Sequence, residues 1–369
     1  MLTIDLAAIQ SNWLKLCAVG ANATVAGVIK ANAYGLGAAQ VGSALYGVGC
    51  REFFFASIDE ALAARTFLPI DTIIYVLGGI GVGNEKLLIE SKLTPVLCST
   101  AAIRGWVKAN IDLGARASSA IKINTGMTRF GLDLKEFEVF CNNVDLVRVT
   151  NPSLVMSHLA CADERHHPLN IQQREGFLRC TRLISPLVSG LRFSLANSAG
   201  IFLGREWHFD LLRPGAALYG INPSPDAPNP MLPVVRLTLP IVQVRRLDAP
   251  AAIGYGSSVT LPAGARIAVV AGGYADGLHR TLGLQPEGIL NGGLIRAVGR
   301  ISMDSTMFDI TGIDLPDDQL IGCEIEVINS SLSLDYLSKK NNSLGYEVLT
   351  SLGGRYQRRY LTGANDDRK

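Results

Sequence analysis

An α/β chain, a (βα)8 barrel of the TIM type followed by a mostly β C-terminal domain, is the fold class predicted for these 369 residues. Three observations predict it. Short apolar runs recur near residues 24–29, 53–57, 73–77, 94–98, 121–124, 154–158, 192–196 and 211–218, separated by stretches of helical periodicity. Five prolines crowd INPSPDAPNPMLP, residues 221–233, which breaks any helix and favours an extended linker. Past that point VVRLTLPIVQVRRL, ARIAVVAGG, GGLIRAVG and EIEVI are β-rich and punctuated by glycine. A doubly wound sheet would alternate in the same way; the count of eight strand-like units favours the barrel.

In chain order, residues 2–4 are β-prone and Asp5 reads as the N-cap of a helix to about Leu16. The run Val25 to Ile29 then delivers Lys30 at its end, followed by the small and turn-prone residues of ANAYGLG. SIDEALAARTFL and LDLKEFEVFCNN have helical periodicity between strands, and the tail YEVLTSLGGRYQRRYL reads as a short helix and a final strand. The expected division is an N-terminal strand, 1–5, joining the C-terminal β domain, a barrel over 6–222, and a β-rich domain over 223–369.

Hydrophobic residues make up 48% and charged residues 18%, the composition of a soluble globule with a large interior. The net charge of +2, with no long basic run, argues against nucleic acid or an anionic membrane as partner. Seven scattered cysteines without CxxC spacing suit neither a disulfide framework nor a metal site, and fit a reducing cytoplasm. MLTIDLAAIQSNW lacks the basic flank and unbroken apolar core of a signal peptide. Residues 31–50 are uncharged, but their Gly, Asn and Gln content argues against a membrane span.

A lysine that ends an apolar run has two readings. It snorkels to the surface as the strand exits, or it is desolvated, with a lowered pKa that suits Schiff-base chemistry. The stretch alone leaves both open. Barrels gather reactive groups at the C-terminal ends of their strands, and polar residues follow the apolar runs there. Strand one yields Lys30 and Tyr34, strand five Lys122 and then Arg129, strand six His158, strand seven Asn197 and Ser198, and strand eight Arg213 followed by Gly215 and Ala216. Singly, His158 reads equally as a core histidine and Arg213 as a surface cation. Small residues after strands seven and eight let backbone N–H groups approach a phosphate. A lysine, a phosphate cradle, two arginines and a histidine are together the parts that pyridoxal 5'-phosphate needs.

VIKANAYGLG, KINTGMTRFG, SHLACADE, LANSAG, RPGAALYG, IGYGSSVT, GGYADG and GRISMD, in this order, resemble the alanine racemase family of fold-type III pyridoxal-phosphate enzymes. The resemblance spans almost the whole chain and implies interconversion of L- and D-alanine, for peptidoglycan or for D-alanine catabolism. It makes Lys30 the cofactor lysine and the base for the D-enantiomer, and Tyr255 the base for the L-enantiomer, supplied by the neighbouring subunit of a homodimer. Two bases are needed because a planar carbanion must be reached from opposite faces.

Tyr255, His158 and Arg213 would form one hydrogen-bonded chain ending at the pyridine nitrogen, which an arginine leaves unprotonated. Tyr34, Ser198, Gly215 and Ala216 match positions around the phosphate, with Asn197 beside them. Arg129 matches the arginine near the phenolic oxygen and the substrate carboxylate, and Met303 the residue whose backbone N–H binds that carboxylate. Asp304 and Tyr274 match residues lining the approach, and Lys122 a lysine that carries a CO2-derived carbamate in many members. In one departure, Gly354 stands where members often have a tyrosine, with Tyr356 two residues on. The same scaffold also admits a broader racemase, for example of serine, or a non-catalytic cofactor-binding barrel.

Overall fold

The computed structural model describes residues 1–79, 81, 83–278, 286–340 and 342–363. Of the expected 223–369 domain, residues 279–285, 341 and 364–369 therefore lie outside the described part. The chain forms two compact units, Ile9–Leu232 and a second assembled from Met1–Ala8 with Pro233–Lys369. The helix Leu6–Gly20 is capped by Asp5, whose Oδ1 accepts the Ala8 N–H at 2.8 Å. It continues past Leu16 because Cys17, Ala18 and Val19 give it no reason to stop; Ala21, at φ 51°, ends it.

The unit Ile9–Leu232 is built on parallel strands, each followed by helix or turn. Strand one is interrupted, as β2 (Thr24–Val25) and β3 (Gly27–Val28). After it come β4 (Glu52–Phe55), β5 (Ile73–Val76), β6 (Thr94–Leu97), β7 (Ser119–Lys122), β8 (Pro152–Met156), β9 (Arg192–Ser194) and β10 (Leu211–Leu212). One parallel sheet runs in the order β3-β4-β5-β6-β7-β8-β9, and β10 pairs with β2. The Asp210 N–H to Phe193 and the Arg213 N–H to Ala196 join β9 to β10, and the Ala26 N–H to Leu212 joins β10 back to strand one, so the ring closes. Strand eight is shorter than the expected 211–218. Pro214 has no N–H for the ladder, and the backbone turns into a 3-10 segment, Ala216–Tyr219.

Ala26, Val28, Phe54, Tyr75, Val96, Ala120, Leu154, Met156 and Leu211 fill the ring as one buried cluster. Near the starts of the strands, Arg192 holds the buried Glu52 with two bonds of 2.6 and 2.8 Å. The Tyr75 hydroxyl donates to the same carboxylate at 2.9 Å and its ring stacks on Phe54 at 4.4 Å.

The second unit is antiparallel. It comprises β11 (Val235–Arg246), the hairpin β12 (Ala251–Ile253) and β13 (Val259–Leu261), then β14 (Arg266–Ala271), β15 (Glu287–Leu290), β16 (Gly293–Ala297), β17 (Ser305–Asp309), β18 (Glu324–Ile328) and β19 (Arg358–Leu361). The pairings β11-β14-β17-β16-β15-β18-β11 close a six-stranded barrel. The N-terminal strand, β1 (Leu2–Asp5), lies antiparallel beside β11 and parallel beside β19. Leu2 and Ile4 are fully buried there.

Candidate active site

Lys30 leaves β3 one residue after the buried Ile29, and the chain does something unusual next. Ala31, Asn32, Ala33 and Tyr34 all have φ between 52° and 55°, a turn of left-handed helix without a glycine. Such backbone costs roughly 1–2 kcal/mol per L-residue, so its surroundings must impose it. The Gly35 N–H to Ala31 and the Gly37 N–H to Asn32 close the turn, and Gly35 and Gly37 follow at φ 86° and 102°. Burial, then the nearby Arg129 charge, lower the Lys30 pKa, while Glu60 pulls it back up. Of the two sequence readings, the half-buried position and the lowered pKa are compatible with the desolvated amine.

Tyr34 leans on Tyr219, with ring centroids 4.7 Å apart. A Cβ at Gly215 would lie 2.4 Å from the Tyr34 hydroxyl, so only glycine admits that approach. Ser198 Oγ accepts the N–H groups of Gly215 and Ala217 at 3.0 and 3.1 Å, tying the loop after strand seven to the one after strand eight. Asn197 Oδ1 accepts the Gly200 N–H at 2.9 Å, and its amide donates to the Leu159 carbonyl. Ala216, half-buried, opens the 3-10 turn.

Arg213 is buried, and neutral acceptors hold it: Ser194 Oγ, the Ser157 carbonyl at 2.5 Å and the Leu195 carbonyl at 3.4 Å. With no carboxylate in that set, burial lowers its pKa to about 9. Lys122, also buried, is lowered to about 8 by burial and then by Arg213. His158 is pushed well below its usual range by burial and then by Arg213, Lys122, Arg129 and Lys30. It is therefore neutral at pH 7. Among the described residues no hydrogen bond joins His158 to Arg213, so that link of the expected chain is not made. Lys122, Asn124, Arg129, Phe130, Ser157 and His158 line a shallow cleft, with Lys122 Nζ 5.6 Å from the Phe130 ring centroid.

Four cations thus crowd one mouth, and their mutual repulsion asks for anions. A phosphate dianion over the Ser198–Ala217 loops and a substrate carboxylate would supply them. The residues present fit pyridoxal phosphate on that ground.

The second unit presents the remaining predicted residues. Tyr255 is 67% exposed at the tip of the β12–β13 hairpin, between Gly254 at φ 68° and Gly256 at φ 74°. Met303 and Tyr274 are also exposed. The turn carrying Met303 is pinned from several sides. The N–H groups of Tyr274 and Ala275 donate to the carbonyls of Ser302 and Met303 at 3.0 and 3.1 Å. Arg355 bonds Asp304 at 2.6 Å and both oxygens of Asp276 at 2.7 Å. Burial would raise the Asp276 pKa, but Arg355 and the Gly273 N–H outweigh it and hold the carboxyl below its usual range. Gly354 is exposed with open space around it, and the Tyr356 hydroxyl is buried with no hydrogen-bond partner among the described residues.

Sequence reasoning missed Ser157, Ser194, Glu60 and Arg355. Only Glu60 had a readable signal, the Ser-x-x-Glu spacing from Ser57 that marks a helix start.

Residues 4–223 match the family model described as alanine racemase, N-terminal domain, and residues 234–360 the one described as alanine racemase, C-terminal domain. The chain is 46% identical to alanine racemase of Rhodospirillum rubrum over 98% of its own length and 95% of that protein's. It is 42% identical to a catabolic alanine racemase of Agrobacterium fabrum, covering 98% and 92%, and 38% identical to the biosynthetic one of that organism, covering 98% and 93%. The crystal structure of alanine racemase from Bartonella henselae with covalently bound pyridoxal phosphate superposes with a TM-score of 0.92 at 36% identity, over 98% of this chain and 99% of that one.

Proposed function

This chain belongs to the alanine racemase family, and from that premise we propose how its own residues divide the work. It is a pyridoxal-phosphate-dependent enzyme that interconverts L- and D-alanine. A broader amino-acid racemase or a non-catalytic barrel is not favoured by relatives that are named alanine racemase.

When bound, the cofactor supplies the electron sink that makes the alanine α-proton removable. Lys30 holds the cofactor aldehyde and exchanges the proton on the D face; Tyr255 exchanges it on the L face. The lowered Lys30 pKa keeps more of its amine free to act as a base near neutral pH. Tyr34, Ser198, Gly215 and Ala216 receive the phosphate, with Asn197 fixing the loop behind them. Arg213 would hold the ring nitrogen with a donor that keeps its proton, with the neutral His158 near Arg213 and Lys122. Arg129 and the Met303 N–H take the alanine carboxylate. Lys122, with its pKa near 8, has an amine nucleophilic enough to take up CO2, and the resulting carbamate gives Arg129 the anion it lacks. Asp304 and Tyr274 shape the approach.

The pattern that carries this reading is the partly buried Lys30 amine set in a ring of cations beside the Ser198–Gly215 cradle. Borohydride trapping of the holoenzyme, followed by peptide mapping, is expected to place the label on Lys30, and L-alanine is expected to lose optical rotation on incubation. A label elsewhere overturns the assignment.

We further propose a homodimer in which each chain lends Tyr255, exposed at its hairpin tip, to the other's site. A cytoplasmic location is supported by seven cysteines that are all free, and no helix among the described residues is long and apolar enough to cross a membrane. The reaction runs both ways, so the same site can feed D-alanine to peptidoglycan precursors or draw it into catabolism in a bacterial host.

A further inference from the structure

The first N–H of any helical turn has no acceptor inside that turn. In the left-handed turn after Lys30 that group belongs to Ala31, and Glu60 Oε1 accepts it at 2.7 Å. The other carboxylate oxygen, Oε2, accepts the Ala56 N–H at 2.9 Å. Glu60 is the third residue of the helix Ile58–Ala64, whose N-cap Ser57 accepts the Glu60 N–H at 3.3 Å. A glutamate at this spacing ordinarily reaches back to the cap residue's own N–H. Here it reaches across to the end of strand one, so a single side chain ties the start of that helix to the backbone directly after Lys30.

We propose that Glu60 is a positioning residue: by accepting the Ala31 and Ala56 amides together, its carboxylate holds the left-handed turn and so aims the Lys30 amine. The claim rests on the reading of Lys30 as the cofactor lysine, but the clamp itself does not. A carboxylate is suited to the task because it can accept on both oxygens. Glutamine cannot replace it, since its NH2 would face one of the two N–H donors.

Charge and geometry predict opposite signs, which makes the test decisive. Removing the Glu60 charge takes away the influence that raises the Lys30 pKa, so it leaves more free amine at neutral pH. On charge alone, Glu60→Gln speeds capture of pyridoxal phosphate by the cofactor-free protein. If Glu60 is a clamp, capture slows by about tenfold or more, because a misplaced amine is a poor nucleophile whatever its protonation. Amide hydrogen exchange at Ala31 and Gly35 rises in the same variant without cofactor, a readout independent of what Lys30 does.

Rescue separates the clamp from a general role in the helix. Ala31 is exposed, and glycine occupies positive φ freely, so Ala31→Gly in the Glu60→Gln background should relieve the turn and restore capture to within about threefold of the parent. A Glu60→Gln protein that captures cofactor at or above the parental rate with unchanged exchange overturns the proposal. So does a double variant no better folded and no faster than the single one. A parent protein that captures no cofactor on Lys30 refutes the catalytic reading instead, and the exchange and rescue measurements still decide the clamp.

Discussion

An ammonium beside a guanidinium is costly to bury, and Lys122 bears that cost in the cofactor-free protein. Its pKa near 8, against 10.5 in the open chain, corresponds to about 3 kcal/mol. Between those two values the unfolded chain holds more protons than the folded one, so stability rises as the pH rises from about 8 to about 10.5. Lys30, lowered for the same main reason, adds to the same slope. Lys122→Met is therefore expected to stabilise the cofactor-free protein by about 2 kcal/mol at pH 7.5, and to flatten the rise towards pH 10. Urea unfolding at the two pH values measures both. A variant that melts lower at pH 7.5 would mean that Lys122 is already paired with an anion there. Lys30 and Lys122 were legible in the sequence because a charge that ends an apolar run stands out. Ser157 and Ser194 were not. Ser157 serves Arg213 through a carbonyl that every residue has, and Ser194 through a hydroxyl that only the folded ring brings to strand eight.

Strands and turns differ in how openly they announce themselves. Apolar runs located the barrel strands to within a few residues, but the ends depended on partners, as in β10, beyond which Pro214 accepts the Val28 N–H but has no N–H to donate. Nothing in Ala-Asn-Ala-Tyr announces a left-handed turn, since no residue there prefers positive φ except, weakly, asparagine. Polar residues at strand starts were silent too, although β4 and β9 depend on them. Removing Arg192 leaves the buried Glu52 with only the Tyr75 hydroxyl among the described residues, so Arg192→Met is expected to cost about 3 kcal/mol. Glu52→Gln in the same chain should recover part of that, and thermal melts of the single and double variants check it. In the second unit, Gly273 is the hinge point of the Met303 turn. A Cβ there would lie 2.3 Å from the carbonyl oxygens of both Ser302 and Met303. Gly273→Ala is expected to raise the KM for alanine about tenfold while leaving cofactor capture at Lys30 unchanged, because only the turn proposed to bind the carboxylate must shift. Equal losses in both measurements would argue against the role given to Met303.

For the whole molecule, the count of eight apolar runs and the proline-rich break were enough to foresee a parallel barrel followed by a β-rich part. Local pattern could not show that the second part is a closed six-stranded barrel, because closure is a matter of which distant strands pair. Sharing of sites between chains has a numerical signature. When equal amounts of Lys30→Ala and Tyr255→Phe chains exchange freely, half of the dimers are mixed and each has one complete site, so about a quarter of the parental activity should return. Mixed dimers without activity would place both bases in one chain.

The pairing of β1 with β11 and β19 also bears on the order of events during synthesis. Residues 2–5 leave the ribosome long before the strand they lie beside in parallel, 358–361. The parallel ring has all its strands once residue 212 is out, whereas the outer edge beside the antiparallel barrel waits for residue 361. A fragment beginning at residue 233 would leave that seam open, and adding a peptide of residues 1–8 in trans should close it.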